Sequence, residues 1–178
     1  MDLIVEGQRG SIEGRASLGG RLYACRLGRS GIVADKREGD DATPVGRFPL
    51  RQIFYRADRG AAPQTALPSR ALAQTDGWCD DPASPHYNRP VTLPFDASHE
   101  EMWRADNLYD LVVVIGHNDA PVVAGMGSAV FLHVMSPGGD PTAGCVAFGK
   151  ADLLEILSQL GPGDHVSIHL DGTDQASR

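Results

Sequence analysis

Leu111-Val112-Val113-Val114-Ile115 constrains this chain more than any other stretch. The run is too short for an ordinary helix, and it has no polar face to turn toward water. Its β-branched side chains suit a pleated surface, so it reads as a central strand buried on both faces. A strand of that kind needs neighbours to pair with and a layer of structure on each side.

Candidate neighbours lie on both sides of it. Leu3-Ile4-Val5 is a short strand, and Arg21 to Leu27 alternates polar with apolar. With Gly19-Gly20 and Gly28-Arg29-Ser30-Gly31 as turns, this region predicts antiparallel hairpins. Ile32-Val33-Ala34 is a brief strand leading into the charged run Asp35 to Asp41, which reads as a solvated loop or a substrate rim. Thr43-Pro44-Val45-Gly46 predicts a turn with proline in its second position, and Arg47 to Phe54 a strand after it. Between Asp164 and Leu170, Val166, Ile168 and Leu170 point one way; His165, Ser167 and His169 point the other, with both histidines toward solvent.

Two segments read as helical. Ser98-His99-Glu100-Glu101 fits a capping box opening a short helix through Arg104. Ala151 to Leu160 carries an apolar stripe of Leu153, Leu154, Ile156, Leu157 and Leu160, ended by Gly161-Pro162. Ala57 to Pro94, rich in Pro, Ala, Asp and Ser, is the least regular part. It gathers aromatic, amide and charged groups, so it reads as an ordered loop beside a cleft. Trp78, Tyr87, Asn88 and Arg89 are its candidate substrate contacts, with loop packing or solvent exposure as the alternative. The expected fold is mostly β, with one or two short helices, in one domain over residues 1–178.

The chemistry centres on Gly125 to Lys150. Ala129 to Val134 reads as a buried strand with His133 near its end, where a ring can leave the core for a cleft. Ser136-Pro137-Gly138-Gly139-Asp140-Pro141 forces a loop, and Val146-Ala147-Phe148 is another short strand. Cys145 lies where the loop re-enters structure. Gly144 before it allows a tight turn and leaves nearby amides free to face a substrate carbonyl. A thiol needs a base or a cationic neighbour, and histidine is the usual one. His133 and Cys145, twelve positions apart, meet if their two strands are adjacent. The spacing fits a nucleophile with its base, and equally a buried cysteine beside an unrelated core histidine. His117, after Gly116 at a turn, is the rival base.

Gly127 to His133 followed by Thr142-Ala143-Gly144-Cys145-Val146 resembles the active-site signature of the L,D-transpeptidase catalytic domain family (YkuD-type). Thr43-Pro44-Val45-Gly46-Arg47-Phe48, about a hundred residues upstream, resembles that family's Thr-Pro-x-Gly-x-Phe segment. Ala143 stands where a histidine is usual, Ala147 where an arginine is frequent, and the histidine-to-cysteine interval is short, as in a divergent branch. The resemblance implies a small β-sandwich with Cys145 as nucleophile, His133 as general base and acid, and backbone amides near Gly144 for the oxyanion. Thr142 and Ser128 join the implied substrate contacts. The implied partners are peptidoglycan peptide stems, donor and acceptor, and the implied activity is a 3-3 or 1-3 crosslink made through a thioester. An L,D-carboxypeptidase and a non-catalytic peptidoglycan-binding module are the alternatives.

Composition excludes other classes. A net charge of −7 argues against nucleic acid, whose binding needs a basic surface. No apolar run approaches the roughly 20 residues that span a bilayer. No cofactor is expected. The absence of CxxC and HExxH argues against a metal site. Cys25 and Cys79 are expected to be buried and reduced, with a disulfide between them as the alternative. Met1 to Glu6 lacks a secretory n-region and h-region, while the resemblance implies the periplasm. A leader outside this chain, another export route and a cytoplasmic location all remain open from sequence.

Overall fold

The computed structural model describes residues 1–171, and the rest of the expected 1–178 unit lies outside the described residues. Strands β1 (Asp2–Gly7), β2 (Glu13–Leu18) and β3 (Arg21–Arg26) are successive antiparallel neighbours, as the glycine turns predict. Gly19 and Gly20, at φ +57° and +85°, make the two-residue β2–β3 hairpin. Short β4 (Ile32–Val33) pairs in parallel with β5 (Thr43–Pro44), so Thr43-Pro44 is laddered rather than a free turn. β6 (Gly46–Tyr55) follows, then β7 (Ser69–Ala71).

The irregular region holds further structure. β8 (Asp76–Cys79), β9 (Pro90–Thr92) and β10 (His99–Glu101) form a separate three-stranded sheet. β10 corrects the helix expected after Ser98. Glu100 pairs with Trp78 across an antiparallel ladder. Beyond Met102 and Trp103, residues 104–107 read Arg-Ala-Asp-Asn, with no apolar stripe to bury, so pairing to β8 overrides the local capping pattern.

The remaining elements are β11 (Leu111–Ile115), β12 (Phe131–Val134), β13 (Val146–Phe148), the helix α1 (Lys150–Ser158) and β14 (His165–Leu170). The molecule is mostly β, and its main sheet runs β11-β12-β13-β3-β2-β1-β14-β6. β6 pairs back onto β11, so the sheet closes on itself like a barrel, with β7 added along β6.

Alternation then sorts the side chains. Val113, Leu132, Val134, Val146 and Phe148 enter the main core with Leu153, Ile156 and Leu157 of α1. Each such side chain contributes about 1.5–3 kcal/mol by leaving water. Leu154, expected in that stripe, is exposed. Val112, Val114, Phe131 and Cys145 project from the other face into a second cluster with Leu72, Trp78, Met102 and Tyr109. β11 is thus buried on both sides because the 57–110 segment roofs the outer one. On β14 Ser167 is buried beside Asp2 and His165 is only partly exposed, while His169 faces solvent.

Candidate active site

The site lies on the outer face of β12 and β13, beneath that roof. The two strands run parallel with Leu132 opposite Val146 and His133 opposite Ala147. Residues two apart share a face, so Phe131, His133, Cys145 and Ala147 all project outward while Leu132 and Val146 fill the core. The adjacency required of the two strands is present, and Cys145 sits just before the start of β13.

Cys145 is 7% exposed. Its Sγ donates to Ala129 O at 3.3 Å and accepts from Phe131 N at 3.3 Å. Burial pushes the thiol up to about 12, and the Glu100 carboxylate adds to this; the Phe131 amide, Lys36 and Arg104 oppose it. His133 is also buried. Its Nδ1 bonds the carbonyl of Val134 at 2.8 Å, which makes Nδ1 the protonated nitrogen and Nε2 the basic one. Burial pulls the imidazole down to about 4, and the Arg104 charge works in the same direction. The edge of Tyr109 packs against it, with ring centroids 5.5 Å apart. At neutral pH the site therefore holds an uncharged thiol and an uncharged imidazole.

The loop before Cys145 is tied down from two sides. Thr142 Oγ1 donates to Cys145 O at 2.7 Å and accepts from Gly144 N at 3.0 Å. Thr43 is fully buried in the upstream segment. Its Oγ1 accepts from Gly28 N at 2.9 Å and reaches Cys145 O at 3.5 Å. The two sequence motifs thus meet at the backbone of Cys145. Gly144 holds φ +139°, and a Cβ there would lie 2.7 Å from Ala42 O, so only glycine fits. Its amide corrects one expectation. That N–H is engaged by Thr142 Oγ1 and is not a free oxyanion donor.

A cleft of about 470 Å³ opens over these groups. Cys145, His133, Gly144, Thr142 and Ser128 line it together. Ser128 Oγ donates to Glu38 Oε2 at 2.7 Å, so its proton is already committed. Trp78, Tyr87, Asn88 and Arg89 are not among the lining residues. Trp78 Nε1 donates to Asn88 Oδ1 at 3.0 Å, which also accepts from Ala129 N at 3.0 Å. Asn88 Nδ2 donates to His117 O and Asn118 O. The Tyr87 hydroxyl binds Glu38 and accepts from Gly127 N. These three buried side chains build the wall behind the cleft, and Arg89 is exposed. His117 is turned away too, its Nε2 on Met126 O and its ring edge-on to Phe48.

Sequence reasoning missed Lys36, Glu100, Arg104 and Tyr109, all of which line the cleft. Lys36 lay in a charged run and Glu100 in the capping pattern; neither context signals a buried site. Tyr109 donates to Glu100, whose carboxyl is raised by burial in the cleft.

Cys25, Cys79 and Cys145 are all buried and free. Among the described residues, no helix is long and apolar enough to cross a membrane, and no group of three His, Cys, Asp or Glu side chains is placed to hold a metal. No curated protein and no solved structure matches the chain. Residues 4–168 match the L,D-transpeptidase catalytic domain (YkuD), and with nearly all of its length covered the chain belongs to that family.

Proposed function

We propose that this protein is a peptidoglycan L,D-transpeptidase acting in the periplasm, with Cys145 as nucleophile and His133 as general base and acid. The observation that carries the reading is that Cys145 shares its cleft and strand face with a histidine whose Nδ1 is fixed on Val134 O, which leaves Nε2 to act as base. A binding module needs neither group.

In this reading Sγ leaves the Ala129 carbonyl, gives its proton to His133 Nε2 and attacks the carbonyl carbon of an L-residue followed by a D-residue. The C–S bond forms as the carbonyl electrons move onto oxygen. Collapse of that intermediate breaks the C–N bond, and Nε2–H returns the proton to the leaving amine. An amine of a second stem then attacks the thioester and loses its proton to His133; breaking of the C–S bond closes the crosslink, and Nε2–H returns that proton to the sulfur. Because thiol and imidazole are both neutral at rest, the buried site holds no thiolate–imidazolium pair before substrate arrives.

The test is incubation with purified muropeptides, wild type beside Cys145→Ala, read by mass spectrometry. A new dimer absent with the variant supports transfer, and its fragmentation tells a 3-3 from a 1-3 linkage. Trimmed monomers without dimers mean an L,D-carboxypeptidase. No product from either protein means a binding module.

A further inference from the structure

Lys36 is the one lysine buried among the described residues, at 6% exposure, and it lines the same cleft as Cys145. Its stem runs between two glycines with positive φ, Gly127 at +94° and Gly144 at +139°. A Cβ on Gly127 would lie 3.0 Å from Lys36 Cε, and one on Gly144 would lie 3.5 Å from Nζ. The missing side chain at Gly127 leaves room for the stem, and the ammonium ends beside the backbone of Gly144, immediately before Cys145.

An ammonium has three N–H donors. One goes to Asp40 and one to Arg37 O at 3.0 Å; no partner among the described residues takes the third. Asp40 is bound as well by the amides of Arg37 and Ala42, so the counter-ion is anchored in its own loop and cannot follow the lysine's charge. The place next to Nζ has also lost a donor, since the Gly144 amide is engaged by Thr142 Oγ1.

We infer that Lys36 is a further catalytic residue, whose free N–H donates to the oxyanion formed when Cys145 attacks the substrate carbonyl. This rests on Cys145 being the nucleophile. The lysine transfers no proton: it stays an ammonium while charge grows on the carbonyl oxygen as the C–S bond forms, and while that charge returns as the C–N bond breaks. A cation held in the cleft favours the intermediate over the neutral ground state. Lys36 also opposes the upward push on the Cys145 thiol, so the test must separate help to the thiolate from help to the oxyanion.

Two small reagents make that separation. Iodoacetamide alkylates sulfur by direct displacement, with no tetrahedral intermediate. p-Nitrophenyl acetate acylates sulfur through one and carries no carboxylate that a lysine might recognise. The readout is the ratio of acylation to alkylation at Cys145, in which the thiolate fraction cancels, for wild type and Lys36→Met. A fall of that ratio by roughly 10²- to 10³-fold is expected, the scale seen when one oxyanion donor is removed. A ratio within about threefold of wild type overturns the assignment, whether or not both rates drop together, because loss of thiolate or of fold moves both reagents alike. If Lys36→Met fails to fold, Lys36→Met with Asp40→Asn removes the orphaned carboxylate and carries the same measurement. A wild type that takes neither reagent at Cys145 overturns this assignment and the proposed function together.

Discussion

Asn88 holds Ala129. The Asn88 side-chain oxygen accepts the Ala129 amide at 3.0 Å, and Ala129 sits at φ +51°, a conformation that disfavours residues with a Cβ. The carbonyl of the same alanine accepts a hydrogen bond from the Cys145 thiol at 3.3 Å. A buried amide ten residues beyond Trp78 therefore sets where the Cys145 thiol rests, without lining the cleft itself.

Replacing Asn88 with alanine strips the Trp78 indole and the Ala129 amide of their acceptor, and the carbonyls of His117 and Asn118 of a donor. Each group left buried and unpaired costs about 1–3 kcal/mol, so Asn88→Ala is expected to lower the melting temperature clearly. Acylation of Cys145 is expected to fall with it, and a melt beside a rate measurement checks both. An unchanged melt would falsify the framework role of Asn88.

With the imidazole pulled down to about 4, His133 stays neutral through mildly acidic pH. Acylation is expected to hold its rate from pH 7 to about 5 and to drop only below that, where an ordinary histidine would already be lost near pH 6.5. The stability consequence has the same origin. The unfolded chain protonates this histidine near 6.5 and the folded chain only near 4, so between those values the unfolded state binds more protons. Stability contributed by the buried neutral ring is complete above 6.5 and is lost as pH falls toward 4. Urea titrations at pH 5 and 7 should differ less in His133→Gln than in wild type.

Glu100 raises the Cys145 thiol by its charge, second only to burial. Glu100→Gln keeps an oxygen for the Tyr109 hydroxyl and removes that charge. Iodoacetamide should then alkylate Cys145 faster at pH 8, by up to about tenfold for each pH unit by which the thiol's titration drops. A slower or unchanged reaction would show that the carboxylate does not act on the sulfur.

Gly144→Ala puts a methyl group 2.7 Å from Ala42 O at a φ that only glycine holds comfortably. The expected cost is about 1–3 kcal/mol in thermal unfolding. Because the loop must move off its Thr142 anchor, acylation should fall by more than the loss of folded protein explains.

Much of this was legible in the sequence because periodicity and punctuation are local. The double burial of β11, the hairpins around Gly19-Gly20, α1 and the face-sorting of β14 at Val166 and Ile168 follow from neighbours a few residues apart. So did the juxtaposition of His133 and Cys145, once two strands were expected on either side of the Pro-Gly loop. Partnerships set by the fold were out of reach. Ser98 to Glu101 has the letters of a helix start, but its partner is β8, which no local window shows. Trp78, Tyr87 and Asn88 have the chemistry of ligand contacts and spend it on one another, on Glu38 and on the 117–129 backbone. Lys36 looked solvated because nothing near it in sequence announces Gly127, which makes room for its stem, or Gly144, beside which its ammonium ends.

The strand that carries His133 and the one that follows Cys145 are spoken for on both edges: β12 by β11 and β13, and β13 by β12 and β3. A peptide cannot dock beside them by borrowing their ladder, the route by which many proteins grip extended chains. Under the proposed function, selection of an L-to-D junction then comes from side chains and loop amides reaching across the cleft, read centre by centre. Handedness at a single carbon is something such a discontinuous set of contacts can sense and a uniform backbone ladder cannot.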